Sequence, residues 1–258
     1  MSFGAVLLLG VVAGATILLG MPFGRLRSPS QGLRVMLSAG AVGVLLFLLW
    51  DVLSAAWEPI DALLADGSDP SLLLLNGFLF AAGIAVGLLS IPLFQRLAQR
   101  SQDVSDPAPR RLALLIAIGI GLHNMAEGLA IGQSAATGQI ALATVLVVGF
   151  ALHNATEGFG IVAPLAGTAP RPSWSFLLLL ALIGGGPTFV GTLIGWTFVS
   201  EQLSILFLSL AAGSIIYVVI QLLGVVARAR RAQLVGYGVF IGLLAGFVTD
   251  GILVAAGA

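Results

Sequence analysis

The chain has 258 residues, of which 59% are hydrophobic and 9% charged, and its mean hydropathy is +1.10. Soluble globular domains carry about a quarter charged residues, so this composition excludes that class and marks a polytopic membrane protein. Net charge is zero, which offers no basic patch to nucleic acid, and cysteine is absent, which leaves only nitrogen and oxygen donors for any metal.

The first apolar stretch, from Phe3 to Gly20, has no basic segment before it and no small-residue cleavage site after it, so it reads as a retained helix. With about 17 to 25 apolar residues needed per crossing, the chain divides into eight spans. They cover about 3–20, 33–57, 72–93, 112–131, 140–162, 173–199, 203–227 and 234–256. The fold expected is therefore all-α, one membrane domain over residues 1–258. Its one long connection, 95–111, is polar and contains proline, and reads as a flexible cytoplasmic loop. Abundant glycine, 34 residues, suits helices that pack closely in lipid.

Loop charges orient the spans. All 11 basic residues are arginines, from Arg25 and Arg27 to Arg230 and Arg231, and each falls in or beside an odd-numbered connection. Glu58, Asp61, Asp66, Asp69 and Glu201 occupy the even ones. Positive residues stay on the cytoplasmic side, so both termini are expected outside, and the expected location is the inner cell membrane.

Two copies of one pattern lie in the fourth and fifth spans, HNMAEG at 123–128 and HNATEG at 153–158. Positions i and i+4 share a helix face, so His123 stands over Glu127 and His153 over Glu157. Asn124 and Asn154 point beside that face. The short connection between the spans makes them antiparallel neighbours and puts both histidines near mid-membrane. An ionisable group there costs about 2.5 to 3.5 kcal/mol on insertion scales and marks a functional site. A single His-x-x-x-Glu is ordinarily an intrahelical hydrogen bond, but here it occurs twice at that depth with the same flanking residues. Two facing carboxylates repel unless a cation joins them; with two imidazoles they make the four N/O ligands that Zn²⁺ prefers. Neither the His-Glu-x-x-His of a metalloprotease nor the Glu-x-x-His of a di-iron bundle is present.

Elsewhere, Asp51 and Asp250 lie toward the outer ends of the second and eighth spans. Each reads either as an acid reaching interfacial water or as half of an acidic vestibule that gathers cations. The sixth span contains GGGPTFVG at 184–191, where Pro187 removes a backbone donor.

HNMAEG and HNATEG resemble the paired metal-site motifs of the ZIP (Zrt/Irt-like) divalent metal transporters, and the span count and orientation are similar to that family's. The resemblance implies a ZIP-like helix bundle that carries a divalent metal ion, Zn²⁺ first and Fe²⁺ or Mn²⁺ next, into the cytoplasm. It implies that His123, Glu127, His153 and Glu157 are ligands, with Asn124 and Asn154 as weaker donors, and that no prosthetic group or enzymatic step is involved. Asn154 stands where relatives frequently carry an acid; Gly186 and Gln221 stand where others carry one. With two carboxylates left, one ion at a time balances the charge. A homodimer in the bilayer is one arrangement open to such a chain. Two other classes follow from the same residues: a membrane metal-binding or sensing protein without transport, and an intramembrane metallohydrolase with Glu as base.

Overall fold

The computed structural model describes residues 2–27, 30–67, 69–101, 108–198 and 200–256; within the helices some side chains, most of those of residues 91–101 and that of His153 among them, lie outside the described residues. The described residues form eight α-helices and no strand: α1 (Phe3–Ala15), α2 (Gln31–Asp66), α3 (Pro70–Ser101), α4 (Ala108–Ala136), α5 (Ile140–Val162), α6 (Trp174–Thr197), α7 (Glu201–Ala227) and α8 (Ala232–Ala256). Among the described residues seven spans are long and apolar enough to cross a membrane, the first of them α1 with the turns that follow it, Phe3–Arg25, and α5 being the helix not counted. The outward surface is apolar too: Leu74 and Phe78 on α3 and Tyr237 and Phe240 on α8 are more than half exposed, as lipid-facing side chains are.

Several helices outrun the spans expected from hydropathy. α2 continues through Pro59 to Asp66 and stops at Gly67, whose left-handed φ of 61° lets its N–H reach the Leu63 carbonyl. α3 reaches Ser101 and α4 starts at Ala108, so much of the expected loop 95–111 is helix, and its centre, 102–107, lies outside the described residues. Apolar windows measure bilayer thickness, whereas a helix ends where capping or proline ends it. α1 does the opposite. It gives way at Thr16 to two short 3₁₀ turns, Thr16–Leu19 and Met21–Arg25.

Asp69 caps α3. Its Oδ1 accepts from the amides of Ser71 and Leu72, both at 3.0 Å, and from the Ser71 hydroxyl at 2.6 Å, with Pro70 at the first helical position. The Ser71 hydroxyl and then the Leu72 amide hold the carboxyl below the usual carboxylate range. A depressed folded pKa means the cap is fully present above the unfolded value of about 3.9 and is lost as pH falls through the folded one. Hydrogen-exchange protection in the first turn of α3 is therefore expected to drop at about pH 2 relative to pH 6, and to be low at both in Asp69→Ala. Equal protection in the two proteins at pH 6 would remove the cap from the account.

Helices pack in parallel pairs, α4 with α6, α2 with α8 and α3 with α7. The α4/α6 seam shows how close they come. A Cβ added at Gly121 would strike the Ile183 carbonyl, one at Gly128 the Thr188 carbonyl, and one at Gly132 the Thr192 carbonyl. Ascending numbers on both helices mean both run the same way. In lipid, where apolar burial does not drive helices together, such small-residue contacts are a main source of association.

One end of the bundle gathers the arginines. Arg25 donates to the Pro172 carbonyl at 2.5 Å and lies 4.9 Å over the Trp174 ring, Arg110 lies 4.2 Å over Phe176, and Arg231 reaches Gln31 at 3.5 Å. The first, third, fifth and seventh connections thus meet at that end. At the other, Asn76 near the start of α3 donates to Glu201 at 3.2 Å. The main apolar core, with Ile17, Leu45, Ile120, Ile161 and Leu180 fully buried, fills the arginine-rich half of the bundle. It begins one turn below the polar residues described next.

Candidate metal centre

α4 and α5 are joined through residues 137–139, where Gly138 takes a φ of 81° that turns the chain back on itself. The two helices pack antiparallel. Their register brings His123 level with Glu157: His123 Nε2 lies 3.2 Å from Glu127 Oε1 on its own helix and 3.8 Å from Glu157 Oε1 on the facing one. One turn further along α4, the same register sets Glu127 level with residues 153 and 154.

Burial is nearly complete. His123 is 2% exposed, Glu127 6% and Glu157 0%. Two carboxylates and an imidazole in so dry a place need a cation, a proton or each other.

The asparagines share one arrangement. Asn124 Nδ2 donates to the Gly184 carbonyl of α6 and Asn154 Nδ2 to the Ala13 carbonyl of α1, each at 2.9 Å. Using the amide nitrogen this way leaves the amide oxygen over. Asn124 Oδ1, Asn154 Oδ1 and Glu127 Oε2 are all buried without a hydrogen-bond partner. A buried acceptor left unmade costs about 1–3 kcal/mol, so these three, all on the site helices α4 and α5, are open to a group that accepts lone pairs. The motif's asparagine thus ties each site helix to a neighbour and keeps its amide oxygen unbonded.

The structure does not bring every expected residue into this set. His153 sits on α5 at the expected place in the helix, but its side chain lies outside the described residues. Among the described residues no three His, Asp or Glu side chains form a group able to hold a metal ion. Asp51 of α2 lies within electrostatic reach of His123 and of Asp250 of α8. Gly186 is half-buried, and a Cβ there would meet only Leu182 of its own helix. It lines a cavity of about 650 Å³ between α1 and α6, with Gly14, Leu182, Gly185 and Pro187. The Gln221 amide donates to the Tyr217 hydroxyl at 3.0 Å, one turn back on α7.

Thr188 was not foreseen. It is 0% exposed and its Oγ1 has no hydrogen-bond partner. Composition and spacing carry no signal for it, since a threonine in a helix ordinarily bonds the carbonyl three or four residues back.

No curated protein matches the chain. A family model described as ZIP zinc transporter matches residues 95–249, which takes in α4 to α7, most of α8 and the end of α3. More than half of the chain is covered, and both HN-x-x-E-G motifs lie inside the match. The chain belongs to the ZIP zinc transporter family, and is a multi-pass membrane protein of metal transport.

Proposed function

We propose that the chain takes up a divalent transition metal, zinc first and Fe²⁺ or Mn²⁺ next, through the buried site on α4 and α5, and delivers it to the cytoplasm. The observation that carries this reading is His123 in contact with a carboxylate from each of the two helices, at 3.2 and 3.8 Å. Two negative charges balance one M²⁺. His123, Glu127 and Glu157 supply the described ligands, His153 is the fourth, and the free oxygens of Asn124 and Asn154 are the weaker donors. Imidazole and carboxylate without thiolate bind a first-row ion firmly enough to strip water and loosely enough to release it.

The membrane arrangement in this proposal has eight crossings, both termini outside, and the inner cell membrane as its location. Parallel packing of α4 against α6 supports the eighth crossing, since a chain that returns to the same direction has crossed back between them. Arginines collected at one end support the orientation. Asp51 and Asp250 then lie on the outer approach, where like charge gathers cations before they reach His123.

Full-length protein reconstituted into vesicles loaded with a zinc-sensitive dye tests both the transport and the site. Zinc added outside is expected to quench or light the dye at a protein-dependent rate, and His123→Ala is expected to lower that rate by about tenfold or more. Zinc bound by the protein with no dye response would make it a binding or sensing member of the family. Equal rates in wild type and His123→Ala would move the pathway elsewhere.

A further inference from the structure

We infer that the groove between α1 and α6 seats one acyl chain of an anionic phospholipid, whose phosphate is held by Arg25 at the arginine-bearing end of the bundle. Such a lipid site is separate from metal transport and does not depend on the α4/α5 pathway.

The groove suits a hydrocarbon chain. Every residue lining it is apolar, and its volume is about 650 Å³. Its floor is backbone: a Cβ at Gly14 would strike the Gly185 carbonyl, and one at Gly185 the Gly14 carbonyl, so the two helices touch there with no side chain between them. Its walls are Leu18 on α1 and Leu178, Leu182 and Val190 on α6. Each of these is between 41% and 67% exposed, so the groove opens on the lipid side of the bundle.

Length decides between the two apolar occupants a bilayer offers, a helix and an acyl chain. On α6 the lining residues run from Leu178 to Val190, which is about 18 Å at 1.5 Å per residue. The hydrocarbon core is about 30 Å thick, so the groove spans little more than one leaflet. A membrane helix from a second copy would cross the whole core and outrun it. A chain entering from one leaflet ends where the groove ends.

Charge decides the headgroup. Trp174 lies one turn before Leu178 on the same face of α6 and is 54% exposed, as interfacial tryptophans are. The Arg25 guanidinium lies 4.9 Å over its ring and donates to the Pro172 carbonyl at 2.5 Å. Stacking and one hydrogen bond thus fix the guanidinium at the mouth of the groove, and it has five N–H donors to share. Arg27 is two residues further on and Arg171 adjoins Pro172; both are exposed, and neither 20–30 nor 163–175 contains an acid. Three arginines there favour a phosphate with no ammonium group beside it, as in phosphatidylglycerol rather than phosphatidylcholine.

The seat also adjoins the metal centre. Gly14 and Gly185 follow directly on Ala13 and Gly184, whose carbonyls hold Asn154 and Asn124. A chain in the groove therefore backs the seam that fixes both asparagines.

The test is native mass spectrometry of the full-length, delipidated protein titrated with long-chain phosphatidylglycerol. Wild type is expected to bind one such lipid saturably and about tenfold more tightly than phosphatidylcholine. Gly186→Leu places a side chain in the groove, where a Cβ meets only Leu182 at 3.4 Å, and is expected to weaken binding about tenfold. Arg25→Gln is expected to weaken it about fivefold and Arg25→Lys to recover most of the loss. Arg228→Gln, the same loss of charge at the exposed end of α7, is expected to leave it unchanged. Phosphatidylglycerol with six-carbon chains is expected to compete poorly. Equal affinity for the two headgroups, or equal losses in Arg228→Gln and Arg25→Gln, overturns the phosphate contact. Wild-type binding in Gly186→Leu, or full competition by the short-chain lipid, overturns the chain's seat. Should Gly186→Leu fail to purify in a folded form, Leu182→Trp fills the same groove from its exposed wall. Zinc uptake enters none of these measurements, so the metal pathway stands or falls separately.

Discussion

Glu157→Gln is expected to reduce zinc uptake at low zinc concentration by about 100-fold or more. The amide matches the carboxylate in size, so the helix packing around a side chain that is 0% exposed is kept. What disappears is one of the two negative charges that face the ion. Removing one member of a buried charge pair costs about 3–5 kcal/mol, and each 1.4 kcal/mol is a factor of ten in affinity. Glu127 then stands alone against a doubly charged ion, with the His123 imidazole 3.2 Å away. The loss is expected in both the half-saturating concentration and the maximal rate, because the same ligands hold the ion while it crosses. Initial rates in the dye-loaded vesicle assay, with protein content matched by quantitative labelling, provide the measurement. Uptake within twofold of wild type would mean that the α4/α5 carboxylates do not hold the cargo.

That the carboxylates could be picked out beforehand follows from where the information lies. His123 over Glu127 is a property of a single helix, fixed by 3.6 residues per turn, and an acid at membrane depth announces itself through its cost. The same is true of arginine placement, which needs only the order of spans. Thr188 is the opposite case. Its hydroxyl is left over only because Asn124, 64 residues earlier in the chain, takes the Gly184 carbonyl, and no local pattern encodes that contact. Gly186 shows a related limit: its neighbour Pro187 marks a notable turn of α6, but which residue of that turn faces inward depends on the rotation of the helix against α1 and α4. Helix ends failed for a further reason. The polar turns at the end of α2 and at both edges of the connection between α3 and α4 lie outside any apolar window, yet remain helical. The parallel pairing of α4 with α6 also stays hidden in the sequence, where glycines announce close packing but not the partner.

That pairing carries the second large effect. Gly191→Leu on α6 is expected to lower the melting temperature by about 2–12 °C and to abolish zinc uptake, whereas Gly77→Leu on α3 is expected to change neither. At Gly191 even a Cβ would strike the Met125 carbonyl and lie 3.0 Å from the Leu129 amide nitrogen, both of them backbone atoms of α4. Backbone cannot swing aside as a side chain can, so the whole seam must open. Overpacking of this kind costs about 1–3 kcal/mol and occasionally more, and for a chain of this size each kcal/mol is worth about 2–4 °C. The functional consequence is more severe than the thermal one. Met125 lies between Asn124 and Glu127, so moving α4 off α6 pulls Asn124 from the Gly184 carbonyl and shifts Glu127 relative to Glu157. A misplacement of about 1 Å in such a site is enough to lose most of its activity. Gly77 supplies the control because a Cβ there meets no atom within 4 Å, and leucine is a better helix former than glycine. Fluorescence-detected melting of the two purified variants, followed by uptake in vesicles, distinguishes the cases. A Gly191→Leu protein as stable and as active as Gly77→Leu would show that α4 and α6 do not meet through this seam, and the positions assigned to Asn124, Gly184 and Thr188 would go with it.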